Sequence, residues 1–147
     1  MEELGHARSF RDLVVYQRAR SVAKTIFDLT KSFPREEMYS LTDQIPRASR
    51  AVGAQIAEAW AKRRYSRHFV SKLTDADAEQ HEVAHWVDTA RECGYVGDEE
   101  AARMASELSE IGRMLNSTIQ KADLFCGAGA SEVRESAAGY FVRRPDP

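Results

Sequence analysis

The sequence of 147 residues has few of the features that mark membrane-spanning, secreted or disulfide-rich proteins. No run is apolar enough to span a bilayer, and the start, Met1-Glu2-Glu3, lacks the basic-then-apolar order of a secretory signal. Only two cysteines occur, Cys93 and Cys126, without the close spacing of a C-x-x-C redox or metal pair. We therefore expect a cytoplasmic protein with reduced, structural thiols.

Several marks of catalysis are also missing. The sequence has no glycine-rich phosphate loop, no serine or cysteine in a nucleophile setting, and no alternating run typical of a β-strand. Its apolar fraction of 43% is sufficient for the core of one domain, and its charged fraction of 30% suits helices that bury one stripe and expose the rest. We expect a helical protein that carries no cofactor.

The net charge of −2 conceals a strong asymmetry along the chain. Residues 1–72 carry 14 lysines and arginines against 8 acidic residues, and residues 73–147 carry 7 against 15. Such a division has two interpretations: a basic surface for a phosphate-rich partner, or a basic half of one subunit that meets the acidic half of another. Both interpretations concern binding, and neither requires catalysis.

Hydrophobic spacing predicts four helices, of which the first follows Ser9. Ser9 suits the N-cap position, and Asp12 stands three residues further on, as in a capping box. The helix should end at Ser32-Phe33-Pro34, because the residue before a proline is displaced from the helical region. Its expected core stripe comprises Leu13, Tyr16, Ala19, Ala23, Ile26 and Phe27.

The second helix should begin near Ser40 or Thr42 and continue past Trp60. If Thr42 is the cap, Pro46 costs little, because the first amides of a helix lack intrahelical partners; an earlier start predicts a kink at the proline. The expected core stripe comprises Leu41, Ile45, Ala48, Val52, Ile56 and Ala59.

The third and fourth helices have the most regular patterns. Steps of four and three place one polar residue, Gln80, within an otherwise apolar stripe, and Gly94 suits a C-terminal stop. The acidic residues 98–100 favour the first turn of the fourth helix, which should continue until Gly127. The expected stripes comprise Phe69, Leu73, Ala76, Gln80, Val83, Val87 and Ala90 on the third helix, and Ala101, Met104, Leu108, Ile111, Leu115, Ile119 and Ala122 on the fourth.

Together these patterns predict an all-α fold, an antiparallel up-and-down four-helix bundle over residues 9–126 with short connections. Residues 127–147 are small, polar and unpatterned, so we expect a flexible C-terminal tail. Residues 140–144, Tyr-Phe-Val-Arg-Arg, are the only part of this tail with the aromatic side chains that would suit binding to a partner. A peptide of this kind is either an unstructured end or a segment that docks on a partner.

The segment from Phe33 to Trp60 carries a family resemblance. Its sequence is FPREEMYSLTDQIPRASRAVGAQIAEAW, with Tyr39, Leu41, Asp43, Gln44, Arg47-Ala48 and Gln55-Ile56-Ala57-Glu58 in order, and Phe10-Arg11-Asp12-Leu13 precedes it. This order resembles the four-helix-bundle proteins encoded in intervening sequences of bacterial 23S rRNA genes, whose relatives include accessory proteins of diversity-generating retroelements. The chain departs from that pattern at Ala51, Gln55 and Ala59, where serine, asparagine and glycine are usual.

The resemblance implies a homo-oligomer, typically a ring of five bundles, without catalysis of its own. It also implies RNA, DNA or a nucleic-acid enzyme as partner. The departures at Gln55 and Ala59 bear on any ligand contact that the resemblance would assign to those two positions.

The densest basic run, residues 62–68, supplies a candidate nucleic-acid site between the second and third helices. Forked or mobile cations suit phosphates, and Tyr65 could stack on an unpaired base. The alternative is a solvated loop that forms ion pairs with the acidic half of another subunit. The predicted contact residues are Arg47, Arg50, Lys62, Arg63, Arg64 and Arg67.

An H-E-x-x-H sequence, His81-Glu82-Val83-Ala84-His85, suggests a competing hypothesis, a zinc-dependent hydrolase. Asp88 and Arg91 occupy the positions where the longer glycine-and-histidine motif would continue, and no strand pattern exists to form a substrate groove. A third ligand would have to come from Glu107 or Glu110 of the next helix. We therefore assign no catalytic and no metal-binding residue.

Glu79 and the pair Glu82 and His85 are similar to half of a di-iron bundle site, for which only Glu58 is an evident further ligand. A polar network of Glu58, Glu79 and Gln80 with an arginine such as Arg47 is the simpler expectation. The sequence thus favours a non-enzymatic, self-associating bundle that binds nucleic acid or a nucleoprotein. The alternatives are the zinc hydrolase and a purely structural oligomeric ring.

Overall fold

A computed structural model describes residues 7–127 and shows four α-helices, which confirms the all-α prediction. The helices are α1 (Val14–Thr30), α2 (Leu41–Ala61), α3 (Ser66–Glu92) and α4 (Asp98–Gln120). Short 3₁₀ turns occur at Phe10–Asp12, Arg35–Glu37 and Ala122–Leu124. Within residues 7–127 there is no β-strand beyond single-residue bridges at Ala7 and Leu13. The predicted tail lies outside the described residues from position 128 onward.

The capping box forms as predicted, but it caps a different element. The Ser9 hydroxyl accepts a hydrogen bond from the Arg11 amide at 3.1 Å, and the Asp12 carboxylate accepts one from the Ser9 amide at 3.2 Å. These bonds close the 3₁₀ turn, after which Leu13 is extended (φ −74°, ψ 128°) and α1 begins at Val14. The predicted start of α1 after Ser9 was therefore wrong by four residues. The helix also ends at Thr30, two residues before the predicted stop.

Helix α2 begins after Ser40, so Pro46 lies within the helix and not in its first turn. Proline has no amide hydrogen, and Pro46 therefore offers no hydrogen bond to the Thr42 carbonyl. One turn further on, the buried Ser49 hydroxyl donates to the Pro46 carbonyl at 3.0 Å. The predicted helix start near Ser40 is confirmed. The alternative start at Thr42, which would have placed Pro46 close to the first turn at little cost, is not.

The core follows the predicted stripes on α2 and α3 completely. All seven stripe residues of α3 are buried, and Gln80, the polar member, is only 5% exposed. On α4 the stripe holds as far as Leu115, whereas Ile119 and Ala122 are only partly buried and Thr118 is buried instead. On α1 the prediction is half right: Leu13, Ala19 and Ile26 are buried, whereas Tyr16, Ala23 and Phe27 are not. The buried residues of the helix are Val15, Ala19, Val22, Ile26 and Thr30.

The up-and-down order gathers charges of opposite sign at the two ends of the bundle. The N-terminus of α1, the α2–α3 connection and the C-terminus of α4 share one end, which we call the basic end. There, residues 7–12, 58–72 and 121–127 contain 8 lysines and arginines against 3 acidic residues. At the opposite, acidic end, residues 28–43 and 88–100 contain 3 against 9. None of the described helices is both long and apolar enough to cross a bilayer.

Candidate nucleic-acid interface

A sharp corner between α2 and α3 presents most of the predicted cations together. Helix α2 ends at Ala61, Lys62 is its C-cap, and α3 begins at Ser66 after the extended residue Tyr65. The corner is held by Phe69, whose buried ring stacks on Phe125 with 5.9 Å between centroids. The aromatic anchor points inward, so the polar residues before it remain at the surface.

Tyr65 is the most exposed aromatic residue of the basic end, with 57% of its surface accessible. The His68 ring lies 5.4 Å from the Tyr65 ring, and the Arg64 guanidinium lies 5.8 Å from the same ring. Among residues 7–127, Lys62, Arg64 and Arg67 have no carboxylate within ion-pair distance. We call Lys62, Arg64, Tyr65, Arg67 and His68 the basic corner.

Arg63 occupies the same connection but packs into the protein. Its guanidinium lies 3.5 Å from the centroid of the Trp60 ring, and its Nε donates to the Trp60 carbonyl at 2.8 Å. Its own carbonyl accepts from the Gly127 amide at 3.0 Å. Burial lowers the pKa of Arg63. The predicted phosphate contact thus has a structural task, because it ties the α2–α3 corner to the end of the described chain.

The structure does not bring Arg47 and Arg50 to the basic corner. Fifteen residues of helix separate Arg47 from Lys62, which corresponds to about 22 Å along the axis. Arg47 pairs with Asp43 at 3.1 Å, and the Arg50 guanidinium lies 5.3 Å from the Phe27 ring. The six predicted contacts therefore form two separate groups.

The H-E-x-x-H residues lie on α3 without the geometry of a metal centre. His81 Nδ1 lies 2.8 Å from the Asp77 carbonyl oxygen, and the Glu82 carboxylate accepts from Trp86 Nε1 at 3.2 Å. The His85 ring packs edge-on against Trp86 at 4.7 Å. Within residues 7–127, no three histidine, cysteine or acidic side chains are placed to hold a metal ion. The geometry gives the zinc-hydrolase hypothesis no support.

The predicted polar network does not form. Glu58 pairs with Lys72 at 3.1 Å, and Arg47 pairs with Asp43. Gln80 donates instead to Asp77 at 3.0 Å, beneath Gly112 of α4. The prediction was wrong because Arg47 and Gln80 pair with residues three or four positions away on their own helices, and Glu58 pairs with Lys72 of α3 instead.

One feature that the sequence prediction missed is a groove of about 470 Å³ between α1 and α2. Three aromatic residues line it, with a floor of small residues and a rim of cations. The Tyr16 ring lies 3.6 Å from the position that a side-chain carbon would take at Gly53. The α1/α2 groove comprises Phe10, Tyr16 and Phe27, the small residues Ala19, Ala23, Ser49, Gly53, Ala54 and Ala57, and the cations Arg20, Lys24 and Arg50. A second apolar stripe on α1 (positions 16, 23 and 27) was the signal for it.

The fold has a known counterpart among solved structures. A crystal structure of a protein of unknown function from the S23 ribosomal protein family of Bacteroides thetaiotaomicron is 27% identical. The similarity covers 73% of this chain and 96% of that one, with a TM-score of 0.66. Among curated proteins none matches this chain. The family model described as 23S rRNA-intervening sequence protein matches residues 11–117, a range that includes the basic corner. The chain belongs to the 23S rRNA-intervening sequence protein family.

Proposed function

We propose that the protein is a non-enzymatic, self-associating accessory factor of the cytoplasm that binds single-stranded RNA or DNA, alone or within a nucleoprotein, through its basic corner. The observation that carries this proposal is the exposed Tyr65 ring among cations that have no acidic partner in residues 7–127. An aromatic ring stacks on an unpaired base of any sequence, while the cations neutralise the adjacent phosphates. Membership of the 23S rRNA-intervening sequence protein family supports a role close to nucleic acid.

The geometry favours a single strand over a duplex. Tyr65 stands at the end of the bundle, and a nucleobase must be unstacked to lie on its ring. Lys62, Arg64 and Arg67 fall within six residues around it, which suits a few successive phosphates. Arg63 is not part of this surface, because its guanidinium covers Trp60.

The proposal is tested by replacing Lys62, Arg64 and Arg67 with glutamine and measuring binding to single-stranded RNA and DNA at several salt concentrations. Three phosphate contacts correspond to a fall of about 2 in the slope of log K against log salt for a single strand. The matched control replaces Arg35, Arg103 and Arg113, exposed arginines away from the basic corner, with the same change in net charge. An unchanged slope in the first variant, or an equal loss in both, would show that the basic corner is not the binding surface.

Tyr65→Ala separates stacking from charge. We expect binding to weaken by about 1–3 kcal/mol with the salt slope unchanged, because a neutral ring releases no counterions. Tyr65→Phe should bind like the unchanged protein, since the ring and not the hydroxyl makes the contact. Equal affinity of the alanine variant would remove stacking from the proposal.

Self-association is the second part of the proposal. The opposite charges of the two halves and the uncovered α1/α2 groove support it, and the family resemblance leads us to expect five subunits. Light scattering at several protein concentrations, with absorbance recorded at 260 and 280 nm, measures the subunit number and any bound nucleic acid together. A clean monomer would contradict this part of the proposal and leave the basic corner to be tested alone.

A further inference from the structure

Helix α3 carries an acidic face on the side of the bundle toward α2. Asp75, Glu79 and Glu82 succeed one another at four- and three-residue spacing, and Trp86 follows four residues later. Lys72 lies seven positions before Glu79 and thus on the same face of α3. Its ion pair with Glu58 of α2 shows that this face lies on the α2 side of the bundle. We call Asp75, Glu79, Glu82 and Trp86 the α3 acidic face.

This face carries more negative than positive charge, because Lys72 is the one cation that pairs with its described carboxylates. Among residues 7–127, Glu79 and Glu82 form no ion pair, and Asp75 has only Lys72 at 3.9 Å. Burial, together with the charges of Glu82 and Asp75, raises the pKa of Glu79. Trp86 remains half-buried at the surface, with its indole nitrogen bound to Glu82. A surface of this kind combines a large apolar ring with two carboxylates, Glu79 and Glu82, that form no ion pair within residues 7–127.

The α1/α2 groove has the complementary composition. Arg20 and Arg50 have no carboxylate within ion-pair distance among residues 7–127, and Lys24 shares Asp28 with Lys31. The groove floor at Gly53, Ala54 and Ala57 has no large side chains, so another helix can approach closely. Its aromatic walls offer contacts to an indole ring.

We propose that the α1/α2 groove of one copy receives the α3 acidic face of a second copy. Both surfaces lie in the middle of their helices, so neither copy has to overhang the end of the other. Cations on the groove rim would lie against Glu79 and Glu82, and Trp86 would lie against the aromatic walls. The inference rests on the self-association in the proposed function and is independent of nucleic-acid binding.

The two surfaces differ, so the contact is heterologous. Each copy would use its groove toward one neighbour and its acidic face toward the other, which produces either a closed ring or an open filament. The two surfaces lie on adjacent sides of the bundle, because both flank α2. Their directions from the bundle axis are therefore well short of opposite, and this arrangement favours a closed ring of few copies over a straight filament.

Charge reversal tests the contact on the whole chain of 147 residues. Arg20→Glu with Arg50→Glu changes the groove, and Glu79→Lys with Glu82→Lys changes the acidic face. We expect the unchanged protein to have a multiple of the single-chain mass in light scattering, and each pair of reversals to yield the monomer. The variant with all four reversals should recover the multimer, because the two surfaces are complementary again and the net charge is unchanged.

A steric variant provides an independent test. Ala54 is exposed in the groove, so Ala54→Trp should fill the groove and yield the monomer without a change of charge. The control is Ala102→Trp on an exposed position of α4, which should keep the multimer. Circular dichroism establishes that each variant is folded.

Three outcomes would overturn the inference: a monomeric unchanged protein, multimers in the groove variants, or a four-reversal variant that stays monomeric. Groove variants that keep the multimer but lose oligonucleotide binding would assign the groove to nucleic acid instead. Folded, monomeric groove variants that retain oligonucleotide binding would support the contact and separate it from the basic corner. Replacement of Lys62, Arg64 and Arg67 tests the proposed function separately. Loss of oligonucleotide binding with the multimer intact would support that function and would not bear on the contact between copies.

Discussion

Gly112 lies in the interior of α4, where alanine would ordinarily favour the helix by about 1 kcal/mol. A side-chain carbon at this position would lie 2.9 Å from the Gln80 amide nitrogen. Gly112→Ala should therefore displace Gln80 from Asp77 and destabilise the fold by about 1–3 kcal/mol. In a Gln80→Ala background the nearest remaining atom is Asp77 Oδ1 at 3.4 Å, an ordinary contact, and the same change should stabilise the fold.

A double-mutant cycle by urea unfolding measures this coupling between Gly112 and Gln80. The two residues share one contact, so the effect of Gly112→Ala should differ by at least about 1 kcal/mol between the two backgrounds. Equal effects would mean that Gln80 moves aside without cost.

Glu37 makes stability depend on pH at the acidic end. Its carboxylate accepts hydrogen bonds from the Ser40 hydroxyl, the Leu41 amide and the Tyr95 hydroxyl, and these bonds lower its pKa. The folded pKa lies below the unfolded value, so the stabilisation is complete above about pH 4.3 and is lost as the pH falls through the folded pKa.

Glu37→Gln should thus lower the free energy of unfolding at neutral pH. The difference from the unchanged protein should narrow in acid, where Glu37 itself becomes protonated. Denaturant unfolding at several pH values between about 3 and 7, an interval that includes the titration of carboxylates, measures this difference. Glu36→Gln removes the same charge from the neighbouring residue and should show no such narrowing. A constant difference for Glu37→Gln would contradict the assignment.

At the scale of elements, the 3₁₀ turn after α4 closes the core at the basic end. Phe125 is buried and stacks on Phe69, and Gly127 donates to Arg63, so the chain is tied down as far as the edge of the predicted bundle. Phe125→Ala should cost about 3–5 kcal/mol, the usual cost of a large cavity.

A stop codon after Gly127 should change the free energy of unfolding by less than about 0.5 kcal/mol, as for surface changes without special contacts. Thermal and urea unfolding of both variants test the predicted boundary between bundle and tail. A large loss of stability from the shortened chain would move that boundary beyond residue 127.

Helix α1 has two apolar faces, one toward the core and one toward the α1/α2 groove. Its buried stripe faces the core, while Tyr16, Ala23 and Phe27 line the α1/α2 groove. The sequence prediction combined residues of the two faces into one stripe, because their positions differ by only one residue. Leu13, Ala19 and Ile26 are buried as predicted, and the other three residues of the predicted stripe are not.

At the scale of the whole molecule, the up-and-down order of the helices places carboxylates at one end of the bundle and cations at the other. Nine acidic residues lie in the two connections of the acidic end and their flanks, and the basic corner lies a bundle length away. A bundle with 27 residues in its longest helix is about 40 Å long, far beyond the screening distance of about 8 Å at physiological salt. The two ends therefore act as separate electrostatic surfaces, and the salt dependence of oligonucleotide binding should report the basic end alone.

The sequence by itself determined the number of helices, the buried stripes of α2 and α3 and the capping box at Ser9. It also placed the cations of the basic corner at one helix junction. These features are local, because helical periodicity, capping and turns depend on residues a few positions apart. The family resemblance rests on the same kind of local sequence pattern.

Only the tertiary structure decided which face of α1 meets the core, that Arg63 covers Trp60, and that Arg47 and Arg50 lie away from the corner. It also decided that Gln80 fits beneath Gly112 and that an aromatic groove stays uncovered between α1 and α2. Each of these facts depends on contacts between residues distant in the chain. Such contacts are set by how the helices rotate and approach one another, which the spacing within a single helix does not specify.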